Sequence, residues 1–315
     1  MAGELEVVTM GRVGVDLYPE QVGATLAEVR TFAKSLGGSP TNVAVAAARL
    51  GRRSAVITKV GDDGFGPYVG RALREFGVDD RFVGTHPSLR TPIVFCEIHP
   101  PDRFPLLFYR EPTAPDMTIT TEELDVGAIA RAPLFWTTGT GLSAEPSRTA
   151  TLAALDAACG IRVHDLDHRP SLWASKDEAR RWAHEAIRRA TVVVGNVEEA
   201  EMATGEPDPQ RAAGVLIDMG VRTAIVKMGA EGAIARTRDG IDRALAFKVD
   251  VLNGLGAGDA FGGMLCHGLL AGWPLATTLM HANAAGAIVA SRLACADAMP
   301  TLAEVRQLVG QVVTA

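Results

Sequence analysis

Runs of β-branched and apolar residues alternate with helical patterns along this 315-residue chain, and that alternation constrains the fold more than any single motif. Residues 5–10, 54–60, 134–138, 161–165, 191–194 and 223–227 read as short strands rich in Val, Ile, Leu and Thr. Helical patterns fill the intervals. Residues 40–50 stop at Gly51, 65–76 at Gly77 and 146–159 at Gly160, while 176–190 run up to the next strand. This order predicts an α/β fold, with a central, mostly parallel sheet flanked by helices. Such sheets take ligands beyond the carboxyl ends of their strands.

Two stretches break the alternation. Residues 15–34 and 91–110 contain strand-like pieces, among them Ile93-Val94-Phe95-Cys96 and Leu106-Leu107-Phe108-Tyr109, that do not easily join the main sheet. They read as a small β lid that closes over a substrate and excludes water. A hairpin used only for dimer contact is the plainer alternative, and a lid edge strand could pair with that of a second subunit to give a homodimer. No repeat, low-complexity tract or Pro/Ser-rich linker interrupts the chain, so residues 1–315 are expected to form one principal domain.

With 47% hydrophobic residues the chain can bury a large core, and its formal charge of −6 comes with scattered Lys and Arg that form no stripe for nucleic acid. Cys96, Cys159, Cys266 and Cys295 lack disulfide-framework or zinc spacing and read as buried thiols of a reducing compartment. The acidic start, Met1 to Glu6, shows no basic-then-apolar leader. Residues 279–296 are interrupted by His281, Asn283, Ser291 and Arg292, which suits a core helix rather than a membrane span. A cytoplasmic protein without membrane or nucleic-acid partners is expected.

The chemistry concentrates in Asn253-Gly254-Leu255-Gly256-Ala257-Gly258-Asp259-Ala260-Phe261, which joins a β-rich stretch to an apolar helix. Glycines let the backbone approach a ligand, and first-turn amides without intrahelical partners point at an anion. Asp259 would repel phosphate. It makes better sense as acceptor of the proton from an attacking hydroxyl, although Asp is also an ordinary helix cap. Upstream, Gly37-Gly38-Ser39-Pro40-Thr41-Asn42 opens a helix where backbone and the Asn42 amide can meet a polyhydroxy ligand, and Asp16 after a probable strand can accept two hydroxyls. Asn196 and Glu199 share a helical face, suited to magnesium and its water, or simply to a helix start. Lys227, ahead of Gly229 and Gly232, could place a positive charge at a nucleotide phosphate.

Taken in order, Gly37-Gly38 with Asn42, Asn196-x-x-Glu199, Gly229-x-x-Gly232 and Gly256-Ala257-Gly258-Asp259 resemble the ribokinase-like (PfkB) family of carbohydrate kinases over essentially the whole chain. The resemblance implies ATP and Mg2+ as cofactors, Asp259 as catalytic base, and Gly256, Ala257 and Gly258 as anion hole. It implies Asn196 and Glu199 as the magnesium-phosphate pair, Asp16, Gly37, Gly38 and Asn42 as sugar contacts, and a nucleotide pocket around Gly229, Gly232 and Asn283 on a late helix, 279–293. Many relatives carry Asp where Asn253 stands in a loop that holds a monovalent cation; Asn lends a carbonyl oxygen but no charge, which leaves potassium dependence open.

Further stretches, Gly11-Arg12-Val13-Gly14-Val15-Asp16-Leu17-Tyr18, Phe104 to Arg110 and Asp165 to Trp173, resemble the branch that phosphorylates 5-dehydro-2-deoxygluconate in myo-inositol breakdown. Arg110 and Arg169 offer planar forks that match a carboxylate, so a sugar acid is the expected substrate, with 2-keto-3-deoxygluconate as the alternative. Pairing of either Arg with an acidic neighbour such as Glu111 or Asp167 is the plainer alternative. Two readings from other classes fare worse. A nicotinamide oxidoreductase needs Gly-x-Gly-x-x-Gly after an early strand, and Gly11-Arg12-Val13-Gly14 lacks that spacing. A non-catalytic sugar-binding protein on the same scaffold would be expected to have lost Asp259 or its glycines.

Overall fold

The structure is a computed structural model that describes residues 4–313. Met1 to Gly3, half of the acidic start, lie outside the described residues. Ten strands form the larger sheet: β1 (Val7–Met10), β4 (Ser54–Gly61), β5 (Val78–Asp79), β6 (Val83–His86), β9 (Leu134–Thr138), β10 (Ile161–Asp165), β11 (Val192–Asn196), β12 (Thr223–Lys227), β13 (Ala233–Arg236) and β14 (Ile241–Ala244). Their order is β14-β13-β12-β11-β10-β9-β1-β4-β5, with β6 also beside β4. Pairing is parallel from β4 through β12, and only β13 and β14 run antiparallel. The central α/β sheet is therefore mostly parallel, as the alternation predicts.

Alternate residues of each strand serve opposite faces. Val7, Leu134, Trp136 and Val163 pack into one core with the helices Ser39–Arg49, Ala257–Leu270 and Leu275–Ala290. Val8, Met10 and Phe135 enter another, beneath the helices Val126–Arg131 and Ser147–Ala157. Helix ends differ from the expected bounds by a few residues: the second late helix runs Leu275–Ala290, and Lys176–Ile187 stops short of residue 190. Where the sequence suggests a helix to residue 159, Ala158 already has extended backbone. That early ending carries a correction, because Cys159 is exposed on the turn into β10, whereas Cys96, Cys266 and Cys295 are buried. All four are free thiols.

A separate four-stranded sheet has the order β3-β2-β7-β8, from β2 (Gly14–Pro19), β3 (Phe32–Gly37), β7 (Ile93–Cys96) and β8 (Leu106–Tyr109). The chain crosses from the larger sheet to this one between Met10 and Gly14, and returns at Gly38. Both crossings border the same cleft. Among the described residues, no helix is long and apolar enough to cross a membrane.

Candidate active site

Two helices begin at the cleft between the sheets. One starts at Ser39, after Gly38, and the other at Ala257, after Gly256. Gly38 has φ +101° and a Cβ there would lie 2.3 Å from the Arg12 carbonyl oxygen, so only glycine fits. Gly256 has φ +80°, and its missing Cβ leaves room for the Cys295 thiol, 2.7 Å from where it would stand. These absent side chains let both helix starts approach the cavity with their unpaired amides forward.

Asp259, in the first turn of its helix, reaches the cavity and has both carboxylate oxygens engaged. Ser39 Oγ donates to Oδ1 at 2.7 Å and Asn42 Nδ2 donates to Oδ2 at 2.8 Å. Burial raises its pKa to about 6, opposed by these two hydrogen bonds and reinforced by the charges of Asp167 and Asp165. The Asn42 amide is split between roles: its nitrogen holds Asp259, and its buried Oδ1 has no partner. An acceptor is thus left for a ligand hydroxyl.

Asp16 lies over Gly37, where a Cβ would fall 1.9 Å from Oδ1. Burial raises its pKa to about 6 against the opposing effects of Arg12 and the Tyr18 hydroxyl, which donates to Oδ2 at 3.2 Å. Arg12, Asp16, Gly38, Asn42, Arg169, Gly256 and Asp259 all line one cavity, covered from the smaller sheet by Val94, Leu106 and Phe108. Ser39, Leu255 and Cys295 complete its wall.

Lys227, ending β12, stands beside this cavity, with Nζ 3.5 Å from where a Gly258 Cβ would lie and 3.4 Å from Asp165 Oδ2. Burial disfavours its charge, but Asp165, Glu199 and Asp259 outweigh that and raise its pKa. Asn196 and Glu199 form a reciprocal helix cap: Asn196 N donates to Glu199 Oε2 at 2.7 Å, and Glu199 N donates to Asn196 Oδ1 at 2.9 Å. Burial raises the Glu199 pKa, with Lys227 opposing and Asp165 and Asp167 reinforcing.

Other expected site residues lie apart from the cavity wall. Arg110 donates to Asp116 at 2.8 Å, a partner neither adjacent in sequence nor Glu111, and does not line the cavity. Gly229 is exposed in the turn after β12, and the buried Gly232 closes that turn with φ +90°. Asn283 donates to the carbonyls of Ala244 and Leu245. Asn253 is buried, its Oδ1 accepting from Leu255 N at 3.0 Å and its Nδ2 donating to the Leu293 carbonyl at 2.5 Å. Among the described residues, no cluster of three or more His, Cys, Asp or Glu side chains forms a protein-only metal site.

Sequence reasoning did not find Arg12 or Ser39 as site residues. Ser39 had a signal, since it sits between Gly38 and Asn42. The partner it serves is 220 residues away.

Residues 4–302 match the pfkB family of carbohydrate kinases. A protein of Geobacillus kaustophilus named 5-dehydro-2-deoxygluconokinase is 34% identical over 316 residues, covering 98% of this chain and 94% of the relative. The crystal structure of a PfkB protein from Polaromonas superposes with a TM-score of 0.83 at 26% identity, covering 93% of this chain and 98% of that one. The aminoimidazole riboside kinase of Salmonella enterica, solved with aminoimidazole riboside and an ATP analogue, gives 0.80 at 27% identity, covering 96% and 99%.

Proposed function

The chain belongs to the pfkB family of carbohydrate kinases, and from that premise we propose that it transfers the γ-phosphoryl group of ATP to the terminal hydroxymethyl of 5-dehydro-2-deoxy-D-gluconate. The observation that carries the reading is a carboxylate, Asp259, hydrogen-bonded through both oxygens at the floor of a cavity that also displays Arg169 and the helix start at Gly256. The relative from Geobacillus carries the substrate's name, and Arg169 supplies the matching charge.

In this reading the acceptor's secondary hydroxyls meet Asp16, Asn42 Oδ1 and the backbone at Gly37 and Gly38. Asp259 takes the proton as the terminal oxygen attacks. The amides of Ala257 and Gly258, beside the Lys227 ammonium, receive the charge of the moving phosphoryl group. ATP extends from there toward Gly229, Gly232 and Asn283. Glu199 and Asp165 form a buried acidic pair facing a single ammonium, a donor set that suits Mg2+ held with Asn196 and Glu199 through water. The cation would neutralise phosphate charge.

The four-stranded sheet acts as a lid that keeps water from the phosphoryl group. Its outer face carries Phe32, Phe95 and Tyr109 in edge-to-face contact, with Leu107 and Tyr109 exposed. A homodimer through this face follows from such an apolar surface.

An acceptor panel tests the assignment. ADP release with 5-dehydro-2-deoxygluconate should exceed that with 2-keto-3-deoxygluconate, ribose or fructose by at least about tenfold in kcat/KM. Preference for a neutral sugar would overturn the acid. Preference for 2-keto-3-deoxygluconate would keep the acid and change its identity.

A pH profile tests the base. With Asp259 near 6, kcat/KM should be lost as pH falls through about 6, because only the ionised carboxylate accepts a proton. Asp16 titrates in the same range, so the wild-type limb is composite. Ser39→Ala removes a hydrogen bond that lowers the Asp259 pKa and should move the limb to higher pH. An unmoved limb would assign it elsewhere.

A further inference from the structure

Arg12 occupies the crossing between the two sheets, and its surroundings leave it short of partners. Its side chain is only 11% exposed, yet its nearest carboxylate oxygen, Asp167 Oδ2, is 3.7 Å away, beyond a hydrogen bond. Its Nε is buried without a partner. The guanidinium stands 5.8 Å from the centre of the Phe108 ring, on the strand that covers the cavity, and Arg12 lines that cavity.

The shortage has a structural cause. Asp167 already spends Oδ1 on Arg169 Nε, at 3.0 Å, and Oδ2 on the Thr140 hydroxyl, at 3.2 Å. Its own amide donates to Asp165 Oδ1 at 3.1 Å, and its φ of +27° is an unusual conformation for a non-glycine residue. One buried carboxylate therefore sits between two cavity-lining guanidinium groups and satisfies one of them. A second carboxylate from a ligand would complete the other.

We propose that Arg12 and Arg169 together seat the carboxylate of the acceptor, with Arg12 the main determinant of acid over neutral substrates and Asp167 a positioning residue that aims both side chains. This rests on the sugar-acid reading above and deepens it. Arg12 lines the cavity with Nε unsatisfied, and a carboxylate matches the planar fork of a guanidinium with two parallel hydrogen bonds where a hydroxyl does not.

The test compares 5-dehydro-2-deoxygluconate with its analogue bearing a primary alcohol in place of the carboxylate. Arg12→Ala should lower kcat/KM for the acid about 10²–10³-fold and for the alcohol far less, with KM for ATP little changed. Arg12→Lys keeps the charge but loses the fork, and should remain at least about tenfold impaired with the acid. Asp167→Asn should raise KM for the acid several-fold while kcat stays within about twofold. Equal losses on acid and alcohol, or a raised KM for ATP, would overturn the assignment of Arg12 and leave it as scaffold or donor contact. If Arg12→Ala does not fold, the Lys variant carries the same comparison. A wild-type enzyme that does not distinguish acid from alcohol would instead defeat the sugar-acid reading itself.

Discussion

Asp259→Asn should lower kcat about 10²–10⁴-fold while the protein stays folded and binds ATP nearly as before. The separation of these effects follows from geometry. Asn42 Nδ2 can still donate to the new amide oxygen, and the Ser39 hydroxyl, now a donor at 2.7 Å, can rotate to accept from the new amide nitrogen. What disappears is the proton acceptor. Removing the carboxylate also relieves a folding cost, since burial lifts its pKa from an ordinary 3.8 to about 6, equivalent to on the order of 3 kcal/mol. For a carboxylate raised on folding, the protonated form is the favoured one; its advantage is complete below the unfolded value and is lost as pH rises through about 6. The variant should therefore gain more in melting temperature, relative to wild type, at pH 8 than at pH 5. Near-normal turnover would refute Asp259 as the base, and a large fall in melting temperature at pH 8 would show that the carboxylate supports the fold.

The second large effect concerns the contact that brings Asp259 to Ser39 and Asn42. The helices Ser39–Arg49 and Ala257–Leu270 approach so closely that a Cβ on Gly263 would lie 2.3 Å from Ala46 Cβ and 3.1 Å from backbone atoms of Ala46 and Ala47. A Cβ on Gly262 would meet Trp136 at 2.8 Å and Val43 at 3.2 Å. Gly263→Ala should force the helices apart, at about 1–3 kcal/mol in stability, because a packed interior yields only by backbone shift. A displacement near 1 Å at the base is enough to cost roughly 10²-fold in kcat/KM. Melting temperature and kcat/KM should fall together, and Ala46→Gly in the same chain should restore part of both by vacating the Cβ that collides. Full activity in Gly263→Ala, measured well below its melting temperature, would show that this contact does not set the site.

Much of this arrangement is legible in the linear chain. Alternating strands and helices specify the parallel sheet because each strand must be buried on two faces, and the glycines before Asp259 mark the place where backbone meets ligand. Other features depend on distant partners. Nothing near Arg12 says that Asp167 will be committed elsewhere, and nothing near Arg110 names Asp116 as its partner. Asn283 has a polar side chain on a core helix, but the carbonyls of Ala244, the last residue of β14, and of Leu245 after it occupy its amide nitrogen. Cys159 looks like its buried counterparts in composition, and differs because its helix ends two residues early. Local periodicity reports which face is covered; it does not report which polar groups are spent.

The molecule carries a formal charge of −6, and at one recessed place the two helix starts at Ser39 and Ala257, with Arg12 and Arg169, set positive groups beside the carboxylates of Asp16 and Asp259. An anionic metabolite therefore meets a weakly repelling exterior before it reaches the guanidinium groups that can pair with its charge. Salt at cellular strength limits exterior fields to within about 8 Å, while groups below the surface are little screened. Discrimination by charge is thus exercised at short range, after entry, and not during the approach.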